Sequence, residues 1–270
     1  MKLAVNYSLQ AAVLLRDGAI ALDAFKCPDW PDVIAEAGAQ HPLYVHFGFR
    51  AGSGALETVD WKHVEDVLAQ TGTPYVNLHL YPRVADFGVD DPADVDDETV
   101  ARRMICDVKL VVERFGPERV IVENIPYPDP DSAVLRTAVE VKTIRRVVCE
   151  SGCGFLLDIG HARIAARSLQ MDERAYISQL PVERLRELHV TGLEHDGQYL
   201  RDHRPMTDTD WPTLEWVLGN IRADNGWAKP WAVVFEYGGI GDKLKNHSQA
   251  KVLAAQVPRL YELVHRGLSE

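Results

Sequence analysis

Gly154-Phe155-Leu156-Leu157-Asp158-Ile159-Gly160-His161 is the stretch from which the rest of the chain is read. Its apolar run has the length of a strand and no polar alternation, which points to burial on both faces, as in the parallel sheet of an α/β protein. A carboxylate follows at once, and an imidazole three residues later. Asp158 therefore falls at the carboxyl end of the strand, where a sheet stops and a site can begin.

The same signature recurs along the sequence. Strands are expected at Leu3–Tyr7, Ala19–Phe25, Leu43–Phe47, Tyr75–Leu80, Val120–Glu123, Leu188–Thr191 and Trp231–Glu236, besides the opening stretch. Between them, helical spacing is read at Gln10–Leu15, Asp32–Ala39, Trp61–Gln70, Thr99–Phe115, Val134–Cys149, from Trp211 onward, and at Ser248–His265. Glu194–Asp208 reads as a polar loop, and Asp90–Glu98 as a solvated acidic lead-in to a helix N-terminus. Strands alternating with helices, without a linker or a change of composition, predict one (β/α)8 barrel domain over residues 1–270. A doubly wound sheet would want a glycine-rich phosphate turn after the first strand, and Asn6-Tyr7-Ser8-Leu9 does not supply one.

The chain of 270 residues carries a net charge of −11, which argues against a nucleic-acid backbone as partner, since such binding draws on a basic stripe. No export signal and no apolar run of membrane-spanning length is read, so the expected location is the cytoplasm. The four cysteines then read as reduced thiols, with Cys149 and Cys153 too few to complete a zinc site.

His46, His79, Glu123, Asp158 with His161, His189 and Glu236 all stand at or just past strand ends, and Asp202 and His203 lie in the loop after the seventh strand. In a barrel those ends meet at one mouth. Gathering so many carboxylates and imidazoles is costly unless cations offset them. Nitrogen and oxygen donors without thiolate suit Zn, Mn, Fe or Co, and the number of donors calls for two or three divalent ions, with Glu123 central enough to bridge. Arg201 and Arg204 are candidates to pin an anionic group of a substrate, and Tyr81, Tyr127 and Tyr237 to wall its pocket. His41, His63 and His265 read as surface residues, and His195 and His247 as loop side chains.

The order of these pieces resembles the xylose isomerase-like TIM-barrel superfamily, which includes endonuclease IV and many sugar isomerases and epimerases. The likeness covers nearly the whole chain and is clearest in Val122-Glu123-Asn124, Leu157-Asp158-Ile159-Gly160-His161, Leu188-His189-Val190 and Phe235-Glu236. It implies that His46, His79 and Glu123 hold one ion, that Glu123, Asp158, His189 and Glu236 hold a second, and that His161 with Asp202 and His203 holds a third. A second branch is also similar: the multinuclear non-haem iron oxidases that modify cysteines in ribosomally made peptides. That likeness lies in Pro42-Leu43-Tyr44-Val45-His46-Phe47-Gly48, Asn77-Leu78-His79-Leu80 and Glu187-Leu188-His189-Val190-Thr191-Gly192.

Two departures matter. Gly160-His161 follows the sixth-strand motif where the oxidases look to carry an Asn after the Asp, which favours the isomerase and endonuclease branches. Asp202 and His203 are adjacent where the superfamily usually reads Asp-x-His, and neighbours in extended backbone point opposite ways. The leading expectation is isomerase- or epimerase-like proton transfer on a small polar substrate, with Glu123 and Glu236 as acid and base. The alternatives are a multinuclear hydrolase or an iron oxidase acting on a peptide, and a barrel that binds a ligand without catalysis. Self-association through a helical face is compatible with the sequence.

Overall fold

Parallel strands dominate the protein because its strand segments are apolar on both faces and are separated by helices. The structure is a computed structural model and describes residues 1–129, 133–241 and 248–266. In chain order the main elements begin with β1 (Lys2–Asn6), α1 (Leu9–Arg16), β2 (Ala24–Cys27), α2 (Pro31–Gly38), β3 (Leu43–Val45), β4 (Phe49–Ala51), α3 (Trp61–Thr71) and β5 (Val76–Leu80). There follow α4 (Asp97–Phe115), β6 (Val120–Glu123), α5 (Val141–Ser151), β7 (Gly154–Asp158), α6 (Ile159–Ser168), α7 (Glu173–Gln179) and β8 (Leu185–Val190). The last are β9 (Gly192–His195), β10 (Leu200–Arg204), α8 (Trp211–Arg222), β11 (Ala232–Phe235) and α9 (Ala250–His265). Among the described residues no helix is long and apolar enough to cross a membrane.

The described chain groups into two compact units: Met1–His46 with Val67–Thr73 and Glu187–Glu270, and Phe47–Asp66 with Pro74–Arg186. In the first, parallel pairing runs β3-β2-β1-β11-β8. Register sets Ala24 beside Ala4, Ala4 beside Val234 and Val234 beside His189, and it sets Lys26 between Asn6 and Tyr44. One face of this sheet therefore changes character along the strands. Ala4, Ala24, Tyr44, Ala232 and Val234 pack as a small apolar cluster, and Lys26 stands one pleat further along β2 on the same face as Ala24.

In the second unit the parallel order is β4-β5-β6-β7. His79 lies beside Glu123 and Glu123 beside Leu156, so Asp158, two residues on, falls on the same face. Two asparagines extend this ladder past the strands. The Asn77 side chain accepts from Phe47 N–H at 2.7 Å and donates to Phe47 C=O at 2.9 Å. Asn124 does the same to the backbone of Asp158, both at 2.9 Å.

Several boundaries differ from the sequence reading. The second strand starts at Ala24 rather than Ala19, and Asp23 just before it accepts the Leu3 N–H at its carboxylate. The third strand is in two pieces, β3 and β4, with His46–Gly48 between them. The helix expected from Val134 begins at Val141, because a short 3-10 turn over Arg136–Val139 precedes it. Two helices, α6 and α7, stand where the sequence reading names no element, the first of them starting directly from the Asp158 strand end. Glu194–Asp208 is not a loop throughout: β9 and β10 pair there as an antiparallel hairpin.

Candidate functional site

In the second unit, β5, β6 and β7 deliver His79, Glu123 and Asp158 by the same-face register just described. Glu123 and Asp158 are buried, at 1% and 0% exposure. Asp158 ends its strand and caps the next helix at once: its Oδ1 accepts the His161 N–H at 2.7 Å, meeting one of the donors that a helix N-terminus leaves unpaired. That cap turns the chain so that His161 comes back over the strand end. Its Nδ1 lies 2.9 Å from the Asn124 carbonyl oxygen, 3.5 Å from Glu123 Oε1 and 3.9 Å from Asp158 Oδ2. His79 has Nδ1 3.3 Å from the Phe49 carbonyl oxygen and Nε2 3.2 Å from Glu123 Oε2.

A carbonyl oxygen can only accept, so the ring nitrogen facing it carries the proton. For His79 that fixes Nδ1–H and turns Nε2, as an acceptor, onto a carboxylate oxygen. Two acceptors facing one another at that range need a cation or a proton between them. A histidine that donates one ring N–H to a carbonyl and offers the other nitrogen is the usual arrangement of a metal ligand.

The first unit brings together Lys26, Tyr44, His46, Glu187, His189 and Glu236. His46 and His189 hold their rings 5.2 Å apart. Both ring nitrogens of His189 face carboxylates: Nε2 is 2.8 Å from Glu187 Oε1, and Nδ1 is 3.1 Å from Glu236 Oε1. Glu236 also forms a buried ion pair with Lys26. His46, Glu187 and His189 each offer a ligand atom within 4.8 Å of the others. The hairpin adds its own pair. His203 Nδ1 lies 2.9 Å from the Glu236 carbonyl oxygen, and His203 Nε2 is 4.0 Å from Asp202 Oδ2.

The remaining expected residues divide. Arg201 is held by Asp196 at 2.6 Å within the hairpin, and Arg204 lies 3.5 Å from Glu194. Tyr237 is buried, stacked on Phe235 at 5.6 Å between ring centroids, and burial pushes its hydroxyl pKa up. Together with His203, Arg204 and Thr207 it lines a cavity of about 300 Å³ beside the hairpin. Tyr127 is half-buried, and the Tyr81 hydroxyl donates to Asp129. His195 is exposed on β9, and His247 lies outside the described residues. His41, His63 and His265, expected at the surface, are all half-buried, and His41 and His265 are partnered by Leu22 C=O and by Asp23.

Sequence reasoning gave no site role to Lys26, Tyr44, Glu187 or Asn124, although the last three stand in the motifs that carry the resemblance. Glu187 had a signal, since it stands two residues before His189 on the same strand face. Lys26 had none, because a lysine near a strand end reads as solvated until the register shows its neighbours.

Nitrogen and carboxylate donors without thiolate, several of them buried, fit a borderline divalent ion such as Zn, Mn, Fe or Co. Known proteins share the fold. D-psicose 3-epimerase has a TM-score of 0.62 at 10% identity, with 100% of each chain covered. Endonuclease IV from Thermus thermophilus has a TM-score of 0.54 at 12% identity, covering 99% of this chain and 100% of that one. These neighbours show an α/β fold like that of TIM-barrel proteins.

In sequence, a UPF0276 protein of Rhizorhabdus wittichii is 23% identical over 198 residues, 70% of this chain and 69% of the relative. The chain spans 60% of the length of two further UPF0276 relatives. Residues 27–223 match the family described as the RiPP precursor modification enzymes MbnB/TglH/ChrH. That is the branch the sequence reading placed behind the isomerases. The chain belongs to the MbnB/TglH/ChrH family of peptide-modifying enzymes.

Proposed function

We propose that this protein is a metal-dependent enzyme that modifies a ribosomally made peptide. The observation that carries the metal part is the orientation of two histidines: His79 and His203 each turn Nδ1 onto a backbone carbonyl and Nε2 toward a carboxylate. The family description supports the peptide.

In this reading His46, His79, Glu123, Asp158, His161, His189, Asp202, His203 and Glu236 are ligands to two or three divalent ions. Such ions polarise a carbonyl or lower the pKa of bound water toward neutrality. Glu123 and Glu236 take and return protons, and Arg201, Arg204, Tyr127 and Tyr237 contact the substrate. A single closed (β/α)8 domain and a cytoplasmic location belong to the same proposal. Full-length likeness to barrel proteins supports the closure.

The test begins with elemental analysis of protein purified without added metal. Cysteine-containing peptides are then incubated with it under air, with and without iron(II), and followed by mass spectrometry. A peptide mass change that needs the metal is expected. Retention of no metal, or a mass change that survives its removal, overturns the proposal. Turnover of ketose sugars with Mn or Co, with peptides left unchanged, replaces it by the isomerase reading that the epimerase-like fold also accommodates.

A further inference from the structure

His189 differs from the other oriented histidines. His79, His161 and His203 all spend Nδ1 on a carbonyl oxygen, whereas His189 has Nε2 against the Glu187 carboxylate. The same Glu187 oxygen takes a hydrogen bond from the Tyr44 hydroxyl at 2.7 Å. An ionised carboxylate can only accept, so both the tyrosine O–H and the imidazole N–H point at Glu187.

The chain is built to stay in place. Tyr44, Glu187 and His189 are all buried, at 2%, 2% and 0% exposure. Tyr44 meets the Trp231 ring edge-on, with centroids 5.0 Å apart. Ala232, a small residue, lies beside Glu187 in register. With Nε2–H committed to Glu187, the lone pair of His189 sits on Nδ1, 3.1 Å from Glu236.

We propose that Glu187, held by Tyr44, is a positioning residue that fixes His189 in its Nε2–H tautomer, so that His189 meets a metal through Nδ1 and not through Nε2. This rests on His189 being a ligand, as proposed above. Outer partners of this kind orient a ligand and raise its basicity, and their removal typically weakens metal binding about 10- to 100-fold. Glu187 is then not itself a ligand, although His46, Glu187 and His189 stand close enough to offer one another's atoms to an ion.

The first measurement needs no metal. Nitrogen NMR of metal-free protein labelled in its imidazoles, with His189 assigned from a His189→Gln variant, is expected to show a protonated Nε2 and an unprotonated Nδ1. The reverse tautomer, or a doubly protonated ring, overturns the proposal. The second is titration with Zn or Mn alone, monitored for affinity and for equivalents bound. Glu187→Gln and the milder Tyr44→Phe are expected to bind as many ions as the parent, with Glu187→Gln about 10- to 100-fold weaker. Loss of one whole equivalent in Glu187→Gln makes Glu187 a ligand and overturns the positioning role. Unchanged affinity in Glu187→Gln overturns it too. Failure of the parent to bind either metal, with the tautomer as expected, sinks the metal reading and the Nδ1 ligation but leaves the hydrogen-bond relay intact.

Discussion

Asp202 Oδ2 and His203 Nε2 stand 4.0 Å apart, although the two residues are neighbours in a strand and regular backbone would send them to opposite faces. The hairpin register explains it. Arg201 pairs with Glu194 and Arg204 with Gly192, so β10 carries one residue more than β9 across that interval, a β-bulge. His203 sits in it at φ 54°, a left-handed conformation uncommon for a residue with a Cβ. The bulge is what turns the side chains of two adjacent residues toward one another.

Position 203 separates ligation from backbone strain. Asn tolerates the left-handed region, so His203→Asn should keep the hairpin and shift the melting temperature little, while one metal equivalent is lost. A β-branched replacement, His203→Val, should destabilise the fold by about 1–3 kcal/mol. Chemical denaturation alongside metal analysis checks both. Equal destabilisation by Asn and Val would show that the bulge is not what constrains this position.

Gly192 is held to glycine by its surroundings. A Cβ there would lie 1.9 Å from the Pro205 carbonyl oxygen, a backbone atom that no rotamer change removes. Gly192→Ala is expected to cost about 1–3 kcal/mol and to raise hydrogen exchange in the hairpin above that in β1 and β11. Parent-like exchange in β9 and β10 would refute the packing account.

Lys26 and Glu236 form a buried ion pair on the face that also carries His189. Removing the ammonium strands the carboxylate, so Lys26→Met should lower the stability of metal-free protein by about 3–5 kcal/mol. Because a divalent ion on Glu236 supplies positive charge in its place, added Zn or Mn should restore more stability to the variant than to the parent. Thermal melts with and without metal decide this; equal gains in both proteins count against Glu236 as a ligand.

Thiol reactivity should divide the cysteines evenly. Burial pushes the Cys27 and Cys153 thiols up to about 12 and about 11, while Cys106 and Cys149 are exposed. At pH 8 a thiol reagent should modify Cys106 and Cys149 in native protein, and all four cysteines after unfolding. The linkage has a definite sign. The unfolded thiols release their protons first as pH rises, so the contribution of Cys27 and Cys153 to stability is present below pH of about 9 and lost progressively above it. A melting temperature that falls less steeply from pH 8 to pH 11 in Cys27→Ala than in the parent is the expected contrast, with Cys153 keeping the remaining slope; equal slopes would count against it.

The local pattern of residues determined a good deal by itself. Apolar runs ending in His, Asp or Glu marked β5, β6, β7, β8 and β11 and the residues at their exits, because strand burial and a period of two are written in consecutive residues. Tertiary structure decided what no window of sequence contains. The bulge at His203 depends on which residue of β9 lies opposite, the Lys26–Glu236 and Tyr44–Glu187 contacts join strands distant in the chain, and each histidine's proton position follows from the carbonyl or carboxylate that faces it. Register and hydrogen-bond partners are non-local, so the sequence could name the residue types at the strand ends and only the folded chain could say which atom each one presents.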